Sequence, residues 1–133
     1  MARRVETALS EILNEIDWIN AVTAGKKLDD FAGDRATRYI VERSIEIIAE
    51  ASRRIPEELK ALRPEIDWRA VAGIGNILRH EYHATSSKIV WNVVCSDLPE
   101  LKAAIAAIQT RSQNDGYALP LRPCLEEVVL GLF

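Results

Sequence analysis

The sequence has few cysteines and no long apolar run. Its two cysteines, Cys95 and Cys124, are too few for a disulfide framework and lack Cys-x-x-Cys spacing. No apolar run approaches the roughly 20 residues that a transmembrane helix needs. Acidic residues between Glu6 and Asp17 interrupt any segment that could act as a secretion signal. These absences predict a cytoplasmic protein with reduced thiols.

The sequence also lacks a strong excess of either charge, since 17 basic and 20 acidic side chains leave a formal net charge of −3. The molecule as a whole would therefore attract a polyanion only weakly. Any binding of nucleic acid must rely on local positive charge, although charged helix faces of this kind are usually just solvated. The candidate basic residues are Arg35, Arg38, Arg53, Arg54, Arg69 and Arg79.

Apolar residues recur at spacings of three and four along most of the chain, which is the pattern of amphipathic helices. The first such segment runs from Val5 to Ile19 and ends near Gly25. The second follows acidic capping residues at positions 29, 30 and 34 and ends before Pro56. The third begins after the cap Asp67. Its predicted inward-facing residues are Trp68, Val71, Ile74, Ile77 and Leu78.

A short helical turn is predicted for the segment PEELKALRP, which lies between two prolines. After a break near residues 83–85, Ser86 or Ser87 can cap a fourth main helix that continues to about Gln109. Pro99 should kink or restart this helix. The pattern therefore predicts an all-α, antiparallel bundle of four main helices plus a short helix.

Residues 109–133 break this pattern, because Asn-Asp-Gly and two prolines mark a loop. The last ten residues, CLEEVVLGLF, are apolar again. We therefore divide the chain into a helical domain, residues 1–108, and a tail of unknown role, residues 109–133.

Polar residues form a line on the second helix, where Arg43, Glu46 and Glu50 lie three and four positions apart. Such a line on a largely apolar helix indicates a polar cleft, a subunit interface or a solvated stripe with an Arg–Glu ion pair. On the third helix, Gly73 and Gly75 lie in the interior, where glycine is unfavourable. They suggest that another backbone approaches closely or that a ligand needs room.

The segment RHEYH, residues 79–83, concentrates polar side chains at the end of the third helix. His80 and His83 could bind a metal, but a catalytic zinc would need a third protein ligand from elsewhere. A Cys–His pair with Cys95 is less suitable, because Cys95 falls in the apolar rhythm of its helix and is predicted to be core. A histidine and an arginine could also cleave RNA without metal, or could simply cap the helix end.

The segments RSIEIIAEASRRIPEEL, PEIDWRAVAGIGNILRHEY and KIVWNVVCSDLPELKAAI resemble, in order and spacing, the HepT family, the DUF86 group of HEPN-domain proteins. The resemblance covers Thr7 to Ile108. It implies a dimeric helical bundle that acts as a metal-independent ribonuclease toxin, with no cofactor. It also implies an antitoxin partner, the nucleotidyltransferase MntA, which silences the toxin by adding AMP to a tyrosine near the active site.

The family motif, R-x4-H-x-Y, assigns catalytic and modified residues to this chain. It places the general base on His80 and the modified tyrosine on Tyr82, and the asparagine that commonly follows the motif arginine is Asn76. The motif arginine itself corresponds to Gly75. The sequence therefore keeps the base and the modification site but lacks the expected cation.

Another arginine could supply the missing charge. Arg79 is adjacent to His80 and so lies about 100° away around a helix, and Arg43 matches a polar position of the family's second helix. If neither substitutes, the resemblance implies a non-catalytic HEPN protein that still binds a nucleotidyltransferase. The residues expected to line the cleft are Arg43, Glu46, Glu50 and Gly75.

Overall fold

The computed structural model describes the backbone of residues 2–80 and 83–114, and the side chains of residues 4–78 and 87–112. These residues form helices and short connections without a strand. The helices are α1 (Ala2–Thr23), α2 (Leu28–Gly33), α3 (Arg35–Ser52), α4 (Glu57–Lys60), α5 (Trp68–His80), α6 (His83–Asn92) and α7 (Leu98–Asn114), with a π-helical turn (Val93–Asp97) between α6 and α7.

The predicted all-α bundle is confirmed. Helix α6, the π turn and α7 follow one another without a break, so they count as one long helix beside α1, α3 and α5. The predicted short helix is α4, and α2 is a second short helix that the apolar spacing did not predict. No described helix combines the length and the apolar character needed to cross a membrane.

The long helices pack side by side with α3 between α1 and α5. Helices α1 and α3 are antiparallel, because Arg54, just beyond α3, pairs with Glu11, whereas Tyr39 near the start of α3 shares a groove with Trp18. Helix α7 packs along α1. The buried core includes Leu9, Ile12, Ile16, Ile19, Phe31, Val41, Ile45, Ile48, Val90, Leu101, Ile105 and Ile108.

The π turn explains two outcomes in the last long helix. Pro99 has no backbone N–H to donate, and just before it the Leu98 N–H reaches back five residues to the Val93 carbonyl. The predicted interruption at Pro99 thus takes the form of a wide turn. The prediction that Cys95 belongs to the core was wrong, because in this turn Val94 and Leu98 are buried and Cys95 is exposed.

Other sequence predictions needed smaller corrections. Helix α6 begins at His83, so the break predicted for residues 83–85 is absent, and Ser87 is buried inside the helix and is not a cap. The last helix continues beyond Gln109 to Asn114. Ile77 is 47% exposed because it lies on the edge of α5, about 100° around the helix from the buried Leu78.

Asp34 caps the N-terminus of α3. Its side chain accepts hydrogen bonds from the Thr37 backbone amide at 3.1 Å and the Thr37 hydroxyl at 2.7 Å, and Lys26 Nζ lies 3.3 Å away. The two Thr37 bonds, followed by Lys26, lower the pKa of Asp34 from 3.8 to about 2. The ionised carboxylate therefore fixes where α3 begins.

We expect Asp34→Ala to lower the Tm at neutral pH, because α3 loses its cap. The folded-state pKa is below the unfolded value, so this stabilisation is present above pH 3.8 and is lost as the pH falls through about 2. Thermal unfolding followed by circular dichroism should show the difference from wild type shrinking over that range. Asp34→Asn, which keeps an acceptor without the charge, is the control. A difference that does not change with pH would contradict the assignment.

Candidate active site between α3 and α5

Position 75 on α5 lies close to Glu46 on α3. Gly75 is buried on α5, and a Cβ atom added there would lie 3.8 Å from Glu46 Cγ, which is an ordinary van der Waals contact. A Cβ atom added at Gly73, on the same helix, would meet no described atom within 4 Å. Position 75 therefore faces the polar line of α3, and a Cβ atom fits there among the described atoms.

Arg43 contacts the same glutamate from α3 itself. Its Nη1 lies 3.3 Å from Glu46 Oε2, with Arg43 71% exposed and Glu46 31% exposed. An exposed ion pair at this spacing contributes little to stability. The guanidinium therefore keeps donors free for an anion while remaining beside the carboxylate that position 75 faces.

Glu50 lies one turn further along α3 and has a structural partner. Arg53 Nη1 approaches Glu50 Oε2 at 3.4 Å, and Arg53 Nη2 donates a 2.9 Å hydrogen bond to the Ala72 carbonyl of α5. This bond joins the end of α3 to α5. The sequence did not indicate it, because neither the spacing of Arg53 nor that of Ala72 reveals a contact between helices.

The contacts Glu46–Gly75 and Arg53–Ala72 show that α3 and α5 are antiparallel. His80 lies five residues after Gly75 at the end of α5. In an antiparallel pair, this level corresponds to about five residues before Glu46 on α3, near Val41. Arg43 lies close to this level. His80 is the last residue of α5, so its backbone lies five residues beyond Gly75 on this helix.

Several predicted site residues lie wholly or partly outside the described residues. The backbones of Arg79 and His80 belong to α5, but their side chains are not described, and Tyr82 is outside altogether. Asn76 is described and exposed beside Gly75. The structure thus brings together Gly75, Glu46 and Arg43, whereas the roles of His80, Arg79, Asn76 and Tyr82 stay predictions.

Arg38 is a basic residue near this level, and one of its side-chain nitrogens is buried. Its Nε is buried and has no hydrogen-bond partner in the described part of the chain. The sequence marked Arg38 only as a member of a basic pair with Arg35. The burial of this Nε atom could not be predicted from the sequence.

The metal alternative depends on His80 and His83, whose side chains are not described. Among the side chains that are described, no group of three His, Cys, Asp or Glu residues could hold a metal ion.

Comparison with protein families decides the family. Residues 12–108 match the family model described as "HepT-like: Ribonuclease HepT-like". The chain belongs to this HepT-like family. The family predicted from the three sequence segments is therefore confirmed, and the match ends at residue 108, before the tail.

Curated relatives agree with the assignment of this HepT-like chain. It is 37% identical over 102 residues to "Probable ribonuclease HepT" of Thermococcus cleftensis, covering 77% of this chain and 93% of that protein. It is 30% identical over 106 residues to "Putative RNase MJ1380" of Methanocaldococcus jannaschii, covering 80% and 97%. No solved structure matches the chain. These names support a ribonuclease-type role.

The space at position 75 can be tested through stability. We expect Gly75→Ala and Gly73→Ala each to raise the free energy of unfolding by about 0.5–1 kcal/mol, because alanine is favoured over glycine inside a helix. The 3.8 Å separation between an added Cβ at position 75 and Glu46 Cγ involves no clash. Urea denaturation of both variants measures the change. A less stable Gly75→Ala beside a more stable Gly73→Ala would mean that position 75 is already filled.

Proposed function

We propose that this HepT-like protein is the toxin of a toxin–antitoxin pair and a metal-independent RNA endonuclease. The observation that carries the proposal is the family match together with the approach of position 75 to the Arg43–Glu46 pair. A basic side chain and a carboxylate on α3 lie opposite position 75 of α5, and the motif histidine follows five residues later in the sequence.

His80 acts as the general base in this mechanism. It removes the proton of the RNA 2′-hydroxyl, the 2′-oxygen bonds to the adjacent phosphorus, and the bond from phosphorus to the 5′-oxygen breaks. The leaving 5′-oxygen takes up a proton, so the products are a cyclic phosphate and a 5′-hydroxyl. The phosphorane carries extra negative charge, which requires a positioned cation.

Arg43 supplies that cation in place of the arginine that Gly75 replaces. Arg43 pairs with Glu46, and a Cβ atom at position 75 would lie 3.8 Å from Glu46 Cγ, which supports Arg43 as the replacement for an arginine on α5. Arg79 is a poorer candidate, because consecutive helical residues point about 100° apart. Asn76, which is exposed next to Gly75, is our candidate for a hydrogen bond to the substrate.

A second candidate function keeps the fold and the partner but not the cleavage. Gly75 favours it, because the motif arginine is absent. In this alternative the protein is a non-catalytic HEPN protein that binds a nucleotidyltransferase. The two candidates differ in one measurable property, which is whether wild-type protein cuts RNA.

Regulation completes the proposal. The protein acts as a homodimer in the cytoplasm, and an MntA-like nucleotidyltransferase silences it by transferring AMP to Tyr82. The added phosphodiester places a negative charge two residues from His80, where it repels an RNA phosphate and fills the cleft.

RNA cleavage tests the mechanism. With a defined RNA in chelator, His80→Ala should lower the cleavage rate by about 10²–10⁴-fold, because it removes the base. Arg43→Gln should also slow cleavage, and adding Gly75→Arg to it should restore the rate, since the second substitution returns a positive charge to a helix position that faces Glu46. Gel analysis of single-turnover reactions gives the rates.

The controls for cleavage are His83→Ala and Arg69→Gln, which alter a neighbouring histidine and an exposed arginine in the first turn of α5. Both should leave the rate unchanged. Cleavage that survives His80→Ala would disprove the assigned base. An inactive wild type with an active Gly75→Arg variant would establish the non-catalytic alternative.

Modification of Tyr82 is tested by intact-mass analysis. Co-expression with an MntA-like nucleotidyltransferase should add the mass of one or more AMP groups to the wild type, because Tyr82 is the assigned acceptor. Tyr82→Phe should abolish the adduct, whereas Tyr39→Phe, which alters an exposed tyrosine on α3, should keep it. An adduct that remains on Tyr82→Phe would rule out this site.

A further inference from the structure

Exposed apolar side chains line a groove between α1 and α3. Trp18 is 53% exposed, Tyr39 56% and Ile40 36%, and the groove has a volume of about 650 Å³. Exposed aromatic residues gathered in one place are typical of surfaces that bind another segment. We call this surface the α1–α3 groove; its residues are Glu15, Trp18, Tyr39, Ile40, Arg43 and Ile47.

The chain itself contains an apolar segment that could pack against the α1–α3 groove. Residues 125–133, LEEVVLGLF, include six large apolar side chains, two glutamates and no basic residue. They lie beyond residue 108, where the family match ends, so nothing in the shared domain requires them. An apolar segment of this kind is unfavourable in water unless it packs against another surface.

The segment can reach the groove. Lys102 Nζ lies 3.0 Å from Asp17 Oδ1, so the first turns of α7 lie beside the end of α1, and α7 then runs back along it. Lys102 therefore marks the level of Trp18 on α7. Asn114 follows 12 residues later, so it lies roughly 20 Å from that level along the helix axis. Residues 115–124 span up to about 33 Å when extended.

Charge distinguishes the α1–α3 groove from a second partly apolar cavity in the described part of the molecule. A cavity of about 370 Å³ between α3, α5 and the π turn carries four carboxylates, those of Glu65, Asp67, Asp97 and Glu100, which would repel a segment with two glutamates. The α1–α3 groove carries Arg43, and Arg35 lies against the Tyr39 ring with its Cζ 5.3 Å from the centroid. Among the described residues that line the groove, Glu15 is the only acid.

We propose that residues 125–133 dock in the α1–α3 groove, with their apolar side chains on Trp18 and Ile40 and with Glu126 or Glu127 paired to Arg43. The docked segment then restrains the guanidinium that would bind the RNA phosphate. This second consequence rests on the proposed function, whereas the docking itself does not. The tail thereby acts as a built-in competitor of the substrate.

Fluorescence quenching tests the docking directly. In a Trp68→Phe/Trp91→Phe background, Trp18 is the only tryptophan, and acrylamide reports its exposure. Adding Val129→Asp and Leu132→Asp should raise the quenching constant about twofold, because the indole loses its cover. Leu119→Asp/Leu121→Asp, a matched change elsewhere in the tail, should leave it unchanged. Circular dichroism verifies that each variant keeps the helical content of its background.

Equal quenching in the background and in the Val129→Asp/Leu132→Asp variant would overturn the docking. Quenching that rises on dilution, together with a dimer-to-monomer change in sedimentation, would overturn it in favour of a second copy in the groove.

RNA cleavage tests the restraint on Arg43. Val129→Asp/Leu132→Asp, made in the otherwise wild-type chain, should cleave the defined RNA roughly tenfold faster, as expected when a competing charged hydrogen bond is removed. An unchanged rate with an exposed Trp18 would overturn the restraint. No cleavage by any variant, Gly75→Arg included, would overturn the proposed nuclease and the restraint, and the quenching result would still decide the docking.

Discussion

The packing of α3 against α1 on one side and α5 on the other is the constraint on which the rest of the molecule depends. The helix buries Val41, Ile45 and Ile48 toward the core. Its edge toward α5 cannot be apolar throughout, because Glu46 lies there against Gly75. A helix that packs against two others has little freedom to rotate about its axis. Each position on its surface therefore faces a defined direction.

In the proposed mechanism, this rigidity lets Arg43 on α3 supply the positive charge that Gly75 on α5 lacks. In the HepT-like motif the cation belongs to α5, but the geometry of a site depends on where the guanidinium lies and not on which helix carries it. Arg43 of α3 and position 75 of α5 share a contact with Glu46. A glycine at position 75 therefore need not remove positive charge from the neighbourhood.

Much of the fold could be predicted from local sequence signals. The features that were not predicted correctly depend on departures from regular helix geometry or on contacts between distant residues. Periodic apolar residues and caps such as Asp34 and Asp67 predicted the main helices, because helix formation depends on residues three and four positions apart. The π turn violated that period, so Cys95 was misplaced. The Gly75–Glu46 contact is long-range, and no local spacing encodes it. Motif spacing suggested the site residues, but not how α3 and α5 align.

The π turn also makes the register of the last helix depend on a single residue. A π turn contains one residue more than the α-helical turn it replaces. If all of these residues formed one regular α-helix, every side chain after Asp97 would be rotated by about 100° relative to the preceding helix. Ile105 and Ile108, which are fully buried, would turn away from α1. The π turn therefore absorbs one residue and sets the direction in which the apolar face of α7 points.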